Sequence, residues 1–211
     1  MGISRQATLI NDNGFEFLEQ YNDPDSVIVT DPMYNISWKD TERIIESAEF
    51  AGIKTVILFS GIDQNFDYEN YCDDYQRCFW VKPISTKNTS KHYSNFVEYI
   101  HVLRWDGSTW NNDRHWSNYV NVFNDRVSAG LHPFEKPISL MERLIANHSK
   151  PTDTIVDPFC GSGSTLIASA NLGRKSVGCE IDKDYYKGLI ERMISRAVRF
   201  YEYSFRTQTY W

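Results

Sequence analysis

Thr154-Ile-Val-Asp-Pro-Phe-Cys-Gly-Ser-Gly-Ser-Thr165 runs from a short apolar strand into a turn with two glycines and opens a helix. The next apolar run, Lys175 to Cys179, ends on Glu180, an acid at the strand tip. This order is the layout of an adenosine-binding α/β unit. Glycines let backbone approach where a Cβ would intrude, and an acid on the neighbouring strand can accept bonds from ribose hydroxyls.

Details of the turn select among ligands. A phosphate-cradling loop needs a lysine after its last glycine, and no lysine lies between Lys150 and Lys175. A dinucleotide fingerprint needs a third glycine, but Gly163 is followed by Ser164, Thr165 and Leu166. With no basic residue in the turn, a ligand without phosphate fits better, and S-adenosylmethionine is one. Asp157 would face its ammonium group, Phe159 its aliphatic chain and Glu180 its ribose, with Cys160, Gly161, Gly163, Ser164, Thr165 and Ile181 completing the cradle. The other reading is a strand, turn and helix whose glycines serve the turn alone.

A second signal lies upstream in Val27-Ile-Val-Thr-Asp-Pro-Met-Tyr-Asn35. A β-branched run of this kind reads as a buried parallel strand that delivers Asp31, Pro32 and Tyr34 to its carboxyl end, where open α/β sheets bind ligands. Here the chain resembles the DNA amino-methyltransferases, which carry Asp-Pro-Pro-Tyr or a close variant at this place. Met33 stands where the second proline would be. His132-Pro-Phe-Glu-Lys136-Pro, the run Phe79 to Pro83 and the run Glu98 to Val102 are similar to further segments of that family in the same order. The acid loop preceding the cofactor turn resembles the permuted beta class.

That resemblance implies an α/β fold: a doubly wound, mostly parallel, seven-stranded Rossmann-like sheet with one antiparallel strand. It implies S-adenosylmethionine as cofactor, with His132 and Lys136 at its methionine end. The first strand would present Asp12 to the adenine amino group, although Asp12 also reads as a cap for the helix that follows. It implies Asp31, Pro32 and Tyr34 as the catalytic set. The Asp31 carboxylate and the Pro32 carbonyl would accept the amino hydrogens, and Tyr34 would stack on a base flipped from the duplex. Transfer would be direct and in line. Cytosine C5 chemistry needs a Pro-Cys nucleophile, which does not occur. Asp rather than Ser at position 31 points to adenine N6 over cytosine N4.

Composition sets outer bounds. The 211 residues, 41% hydrophobic, suffice for one domain over 1–211. Apolar runs are only of strand length and the amino terminus has neither a basic start nor a hydrophobic block, so no membrane segment is expected. Cys72, Cys78, Cys160 and Cys179 lack metal spacing, and a reducing cytoplasm, bacterial or of a phage-infected host, follows. A net charge of -6 disfavours a generic nucleic-acid coat. Double-stranded DNA would instead meet a local basic cleft drawn from Lys82, Lys87, Lys91, His92, Arg104 and Arg114. A homodimer would cover more of the duplex than one subunit.

Alternating patterns predict strands at 7–12, 26–30, 54–59, 77–83, 96–104, 154–158 and 175–180. Helices are predicted at 14–20, 39–51, around 67–76, and at 137–149, 163–173 and 183–199. Residues 105–131 have no clear place in the sheet and by resemblance form a short target-recognition insert. Two other functional classes stay open: a catalytically silent cofactor- or DNA-binding accessory protein, and an RNA or nucleotide methyltransferase.

Overall fold

The computed structural model describes residues 6–33, 36–61, 64, 66–82, 97–111, 122–123, 135–196 and 198–203. The strands are β1 (Gln6–Ile10), β2 (Ser26–Thr30), β3 (Thr55–Gly61), β4 (Asp74–Val81), β5 (Val97–Arg104), β6 (Val122–Phe123), β7 (Thr154–Asp157), β8 (Lys175–Cys179) and β9 (Arg199–Tyr203). Among the described residues the flanking helices are α1 (Gly14–Gln20), α2 (Trp38–Phe50), α3 (Ile138–His148), α4 (Ser164–Asn171) and α5 (Lys183–Ser195).

Among the described residues one sheet forms, in the order β6-β4-β5-β3-β2-β7-β8-β1-β9. Only β5 runs against its neighbours, pairing antiparallel with β3 and β4, while every other described pairing is parallel. The expected single antiparallel strand is therefore present, in a sheet of nine strands rather than seven. Both extra strands lie at the edges. Val122–Phe123, inside the insert, adds a short ladder to β4. Arg199–Tyr203 pairs in parallel with β1, where the predicted last helix was to continue to 199; α5 instead stops at Ser195. Three aromatics in that five-residue run suit a pleated edge better than a helix end.

A second departure is the helix expected around 67–76. Only a 3-10 turn, Tyr68–Tyr71, forms before β4 begins at Asp74. Tyr68 fixes that turn by burying its ring against His101 at a centroid distance of 4.1 Å.

Period-two alternation divides the core. Ile28, Val56, Leu58 and Val156 face α1 and α2, whereas Val27, Val29, Ile57, Phe59, Ile100 and Val102 face α3. Helix starts are capped where the sequence offers a short oxygen: Asn13 accepts from Phe15, Ser37 from Asp40, and Asp182 from Asp184 and Tyr185. Asn13, not Asp12, thus caps α1. No helix among the described residues is long and apolar enough to cross a membrane.

Candidate functional site

Asp31, Asp157 and Glu180 immediately follow or end β2, β7 and β8, which the parallel pairing brings to one carboxyl edge of the sheet. Asp12 follows β1 at the same edge, since Ile10 pairs with Cys179. Residues far apart in sequence therefore share one end of the molecule.

On the cofactor side, carboxylates are met by neutral donors. Asp157, buried, accepts from the Thr30 hydroxyl at 2.7 Å and from the Phe159 amide at 3.2 Å, and Thr165 adds a side-chain bond. Burial pushes its pKa up to about 6 against these bonds. The Glu180 carboxylate accepts from the Gly161 amide at 3.0 Å and the Asp182 amide at 2.8 Å, and burial raises its pKa too. Asn11 donates to the Glu180 carbonyl at 2.7 Å, tying the tips of β1 and β8. Asp12 accepts its neighbour Asn13's amide at 2.9 Å.

Two glycines of the turn have different jobs. A Cβ on Gly161 would meet nothing within 4 Å, so there the left-handed φ of 48°, not crowding, favours glycine. Gly163, at φ 79°, begins α4 in the left-handed region, and a Cβ there would lie 2.2 Å from Leu189 Cδ1. Its requirement comes from the fold. Several expected cofactor contacts are likewise spent inside the protein: Cys160 is buried among Leu166 and Leu189, Thr165 engages Asp157, and Ser164 is buried beside Arg192. Their side chains do not line an open surface. Phe159 packs edge-on against Phe15, with centroids 4.9 Å apart, while Ile181 is largely exposed beside Glu180.

The cation at the turn comes from α5. Arg192 donates to the Ser162 carbonyl at 2.7 Å and forms an ion pair with Glu135. Both side chains are buried, so the guanidinium is turned away from any phosphate. This arrangement fits a cationic, phosphate-free ligand such as S-adenosylmethionine: among the described residues Asp157 meets neutral donors, and the Arg192 cation beside the turn is committed elsewhere.

On the Asp31 side, ammonium groups replace the neutral donors. Lys136, just before α3, pairs with Asp31 and lies 3.1 Å from Glu98 Oε2. Lys82, just past β4, lies 3.0 Å from Glu98 Oε1. The Lys136 ammonium also sits over the rings of Phe59 at 5.2 Å and Trp80 at 5.6 Å. Asp31 keeps 22% of its side chain exposed, against 3% for Glu98. Burial raises the Asp31 pKa, the Lys136 charge opposes the rise, and Glu98 adds to it. Pro32 is buried and Met33 is 77% exposed.

Two of the expected DNA contacts are corrected. Lys82 is buried and bound to Glu98, so its charge is already neutralised. Arg104 pairs in register with Thr55, the first residue of β3, and therefore lies at the amino edge, opposite the site. There it forms an ion pair with Asp74. Tyr34, Lys87, Lys91, His92, Arg114 and His132 lie outside the described residues.

Sequence reading did not single out Thr30, Glu98, Glu135 or Arg192 as site residues. Glu98 carried a signal, being an acid in phase with the apolar Ile100 and Val102. Arg192 carried another, a cation adjoining the buried stripe Tyr186, Leu189 and Met193. Among the described residues, no three His, Cys, Asp or Glu side chains group as a metal site.

The profile of the N6/N4 methyltransferase family of DNA methylases matches residues 73–192. The type II methyltransferase M2.LlaDCHI of Lactococcus lactis subsp. cremoris is 32% identical over 126 residues, covering 51% of this chain and 46% of the relative. The chain spans about half the length of the curated relatives it matches. The crystal structure of the M1.HpyAVI complex with SAM superposes with a TM-score of 0.69 at 23% identity, covering 88% of this chain and 99% of the other. The cytosine-N4-specific PvuII DNA methyltransferase gives 0.66 at 15% identity, covering 90% and 88%. At such identities the structural likeness concerns the fold.

Proposed function

We propose, for a chain that belongs to the N6/N4 family of DNA methylases, that it methylates the exocyclic amino group of a base in double-stranded DNA, adenine N6 in preference to cytosine N4. The observation that carries this reading is Asp31: a charge-held carboxylate, partly open to solvent, at the carboxyl end of β2 and linked through Thr30 to the cofactor-side Asp157. S-adenosylmethionine supplies an electrophilic methyl carbon. Asp157 holds its ammonium group, Glu180 its ribose, and Asp12 and Ile181 its adenine.

An exocyclic amino nitrogen is a poor nucleophile while its lone pair is conjugated with the ring. The Asp31 carboxylate accepts one amino hydrogen and the Pro32 carbonyl the other, which favours the pyramidal nitrogen and directs its lone pair toward the methyl carbon. As nitrogen gains its bond to the methyl carbon, the carbon–sulfur bond would break with its electron pair leaving on the neutral thioether, and the nitrogen must lose a proton. Asp31, whose proton affinity burial has raised, takes that proton before it passes to solvent. A base inside a duplex cannot reach Asp31, so the target nucleotide is flipped out, with Tyr34 stacking on it. Target recognition is assigned to the part of the 105–131 insert after Asn111, since Trp105 to Asn111 lie at the amino edge while Val122–Phe123 pairs with Phe79 and Trp80 toward the carboxyl edge. The adenine preference rests on an acid, rather than serine, at position 31.

Methyl transfer from labelled S-adenosylmethionine to unmethylated bacterial DNA, followed by nucleoside analysis of the digest, tests this reading. N6-methyladenine is the expected product. N4-methylcytosine would move the target to cytosine, and no product with intact cofactor binding would leave a silent binder. Asp31→Ala is expected to lower kcat by on the order of a thousandfold while cofactor affinity changes by less than about threefold. Equal rates would remove Asp31 from the chemistry.

A further inference from the structure

Four charged side chains converge beside the catalytic loop: Asp31, Lys136, Glu98 and Lys82. Three of them are at least nine-tenths buried. Burying ions is costly, and packed apolar residues of the same volume are often more stable. Lys136 already accounts for the negative charge of Asp31. Stability alone would then be served by apolar residues at 82 and 98, yet Glu98 joins two lysines on the inner face of β5.

The placement of Glu98 is specific. It pairs in register with Gly61 of β3 and Trp80 of β4 at the carboxyl edge. Gly61 brings no side chain to that place, and the Trp80 ring underlies the Lys136 ammonium. Each Glu98 carboxylate oxygen faces a different lysine, Oε1 to Lys82 and Oε2 to Lys136. An ammonium held by a second carboxylate has less freedom, and less net attraction for Asp31, than one paired to Asp31 alone.

Resting on the methyltransfer reading, we propose that Glu98 is a positioning residue for that reaction: with Lys82 it forms a buried, charge-balanced clamp that fixes Lys136 against Asp31 and keeps the Asp31 carboxylate free to act on substrate. Lys136 without Glu98 would bind Asp31 too strongly and blunt it as an acceptor. Glu98 without Lys82 would leave the cluster with excess negative charge and protonate Asp31. Among the described residues the charged groups acting on Asp31 are Lys136 before α3, Glu98 on β5, Lys82 after β4 and Asp157 at the end of β7.

Opposite charge changes separate a clamp from a scaffold. In the full chain, the carboxyl-carbon resonance of Asp31, assigned with Asp31→Asn, is titrated by NMR alongside the pH profile of kcat. Glu98→Gln should move the Asp31 midpoint down by about one pH unit, Lys82→Met should move it up by a similar amount, and the double variant should return it. The acid limb of kcat should follow the same order. Turnover should fall about tenfold in each single variant and recover to within about threefold in the double, while KM for the cofactor stays within threefold. Should Glu98→Gln not fold, the upward shift in Lys82→Met and its reversal in the double variant carry the test. Shifts of the same sign in both single variants, or none, overturn the clamp. A wild-type protein that shows the charge pattern without methyl transfer would instead defeat the functional reading and leave the clamp standing.

Discussion

The two halves of the carboxyl edge satisfy their carboxylates by opposite means. Asp157 and Glu180 are met by hydroxyls and backbone amides, whereas Asp31 and Glu98 are met by the ammonium groups of Lys136 and Lys82. Neutral donors stabilise a carboxylate without cancelling its charge, so the first half retains an attraction for a cation that arrives from outside. Ammonium partners cancel charge in place. The second half therefore needs no external ion and presents a carboxylate whose state is set internally. The strands β2 and β7 that carry the two halves are paired in the sheet, and the Thr30 hydroxyl adds a side-chain hydrogen bond to Asp157 across that pair.

The largest test of this contrast is Asp157→Asn. If Asp157 awaits a cation, the variant should lose on the order of thirtyfold in S-adenosylmethionine affinity, measured by calorimetry, with little change in the fold. The pH dependence gives a sharper version. Free Asp157 has a pKa raised to about 6, and an ammonium ligand favours its ionised form, so binding below that pH must displace a proton. Affinity should be flat above about pH 6 and fall by up to tenfold for each unit below it. In Asp157→Asn that slope should vanish. A slope that persists would place the titrating group elsewhere and dissolve the distinction between the halves.

A third way of satisfying a buried group lies beside the catalytic half. His101, fully buried, has its ring nitrogens 2.8 Å from the Ser60 and Tyr75 hydroxyls, and burial pushes its pKa down to about 3. His148 is depressed similarly at the amino edge. Between pH 6.5 and 3 the unfolded chain binds protons that these folded rings refuse, so folding stability falls as pH falls. Each ring contributes a slope of up to about 1.4 kcal/mol per pH unit. Asp157 acts in the opposite sense between about 6 and 4, because there the folded carboxyl holds a proton that the unfolded one has lost, and Asp31 and Glu180, whose pKa values burial also raises, act in the same sense as Asp157. Urea unfolding at pH 7, 6 and 5 should show net destabilisation on acidification, and His101→Gln should flatten it. An unchanged slope would mean that His101 is accessible to protonation in the folded state.

How much of this was legible in the sequence differs between the halves for a physical reason. The Asp157 side is local: Asp157, Gly161 and Gly163 belong to one strand and turn, and Glu180 to the next strand, so spacing alone groups them at one edge. The clamp is not local. Glu98 meets Lys82 and Lys136 only because β5 reverses and α3 begins above it, and no short window contains that meeting. Lys82 was read as a DNA contact because a lone lysine in sequence looks exposed; its partner sixteen residues away made it buried. Arg104 was misplaced for a related reason. A strand's direction decides which edge its end reaches, and the reversal of β5 sends Arg104 away from the site. The extra edge strand at Arg199–Tyr203 escaped because helix and strand compete evenly over so short an aromatic run.

The smallest expected effect concerns that opposite edge. Arg104 forms an ion pair with Asp74 and lies 5.0 Å over the ring of Trp110, which itself leans on His148 at 4.8 Å. Read from the sequence, Arg104 belongs to a basic cleft for DNA. Its position at the amino ends of the parallel strands puts it across the full length of β3 from Asp31. In the proposed reaction, a duplex presenting a flipped base to Asp31 would approach the other end. Arg104→Ala should therefore leave kcat/KM for DNA within about twofold, and cost no more than about 1 kcal/mol of stability from the lost ion pair and ring contact. Steady-state transfer assays with salt-matched duplex, together with urea unfolding, measure both. A tenfold loss in kcat/KM at unchanged stability would mean that DNA wraps to the amino edge, and the separation of a working edge from a structural one would have to be redrawn.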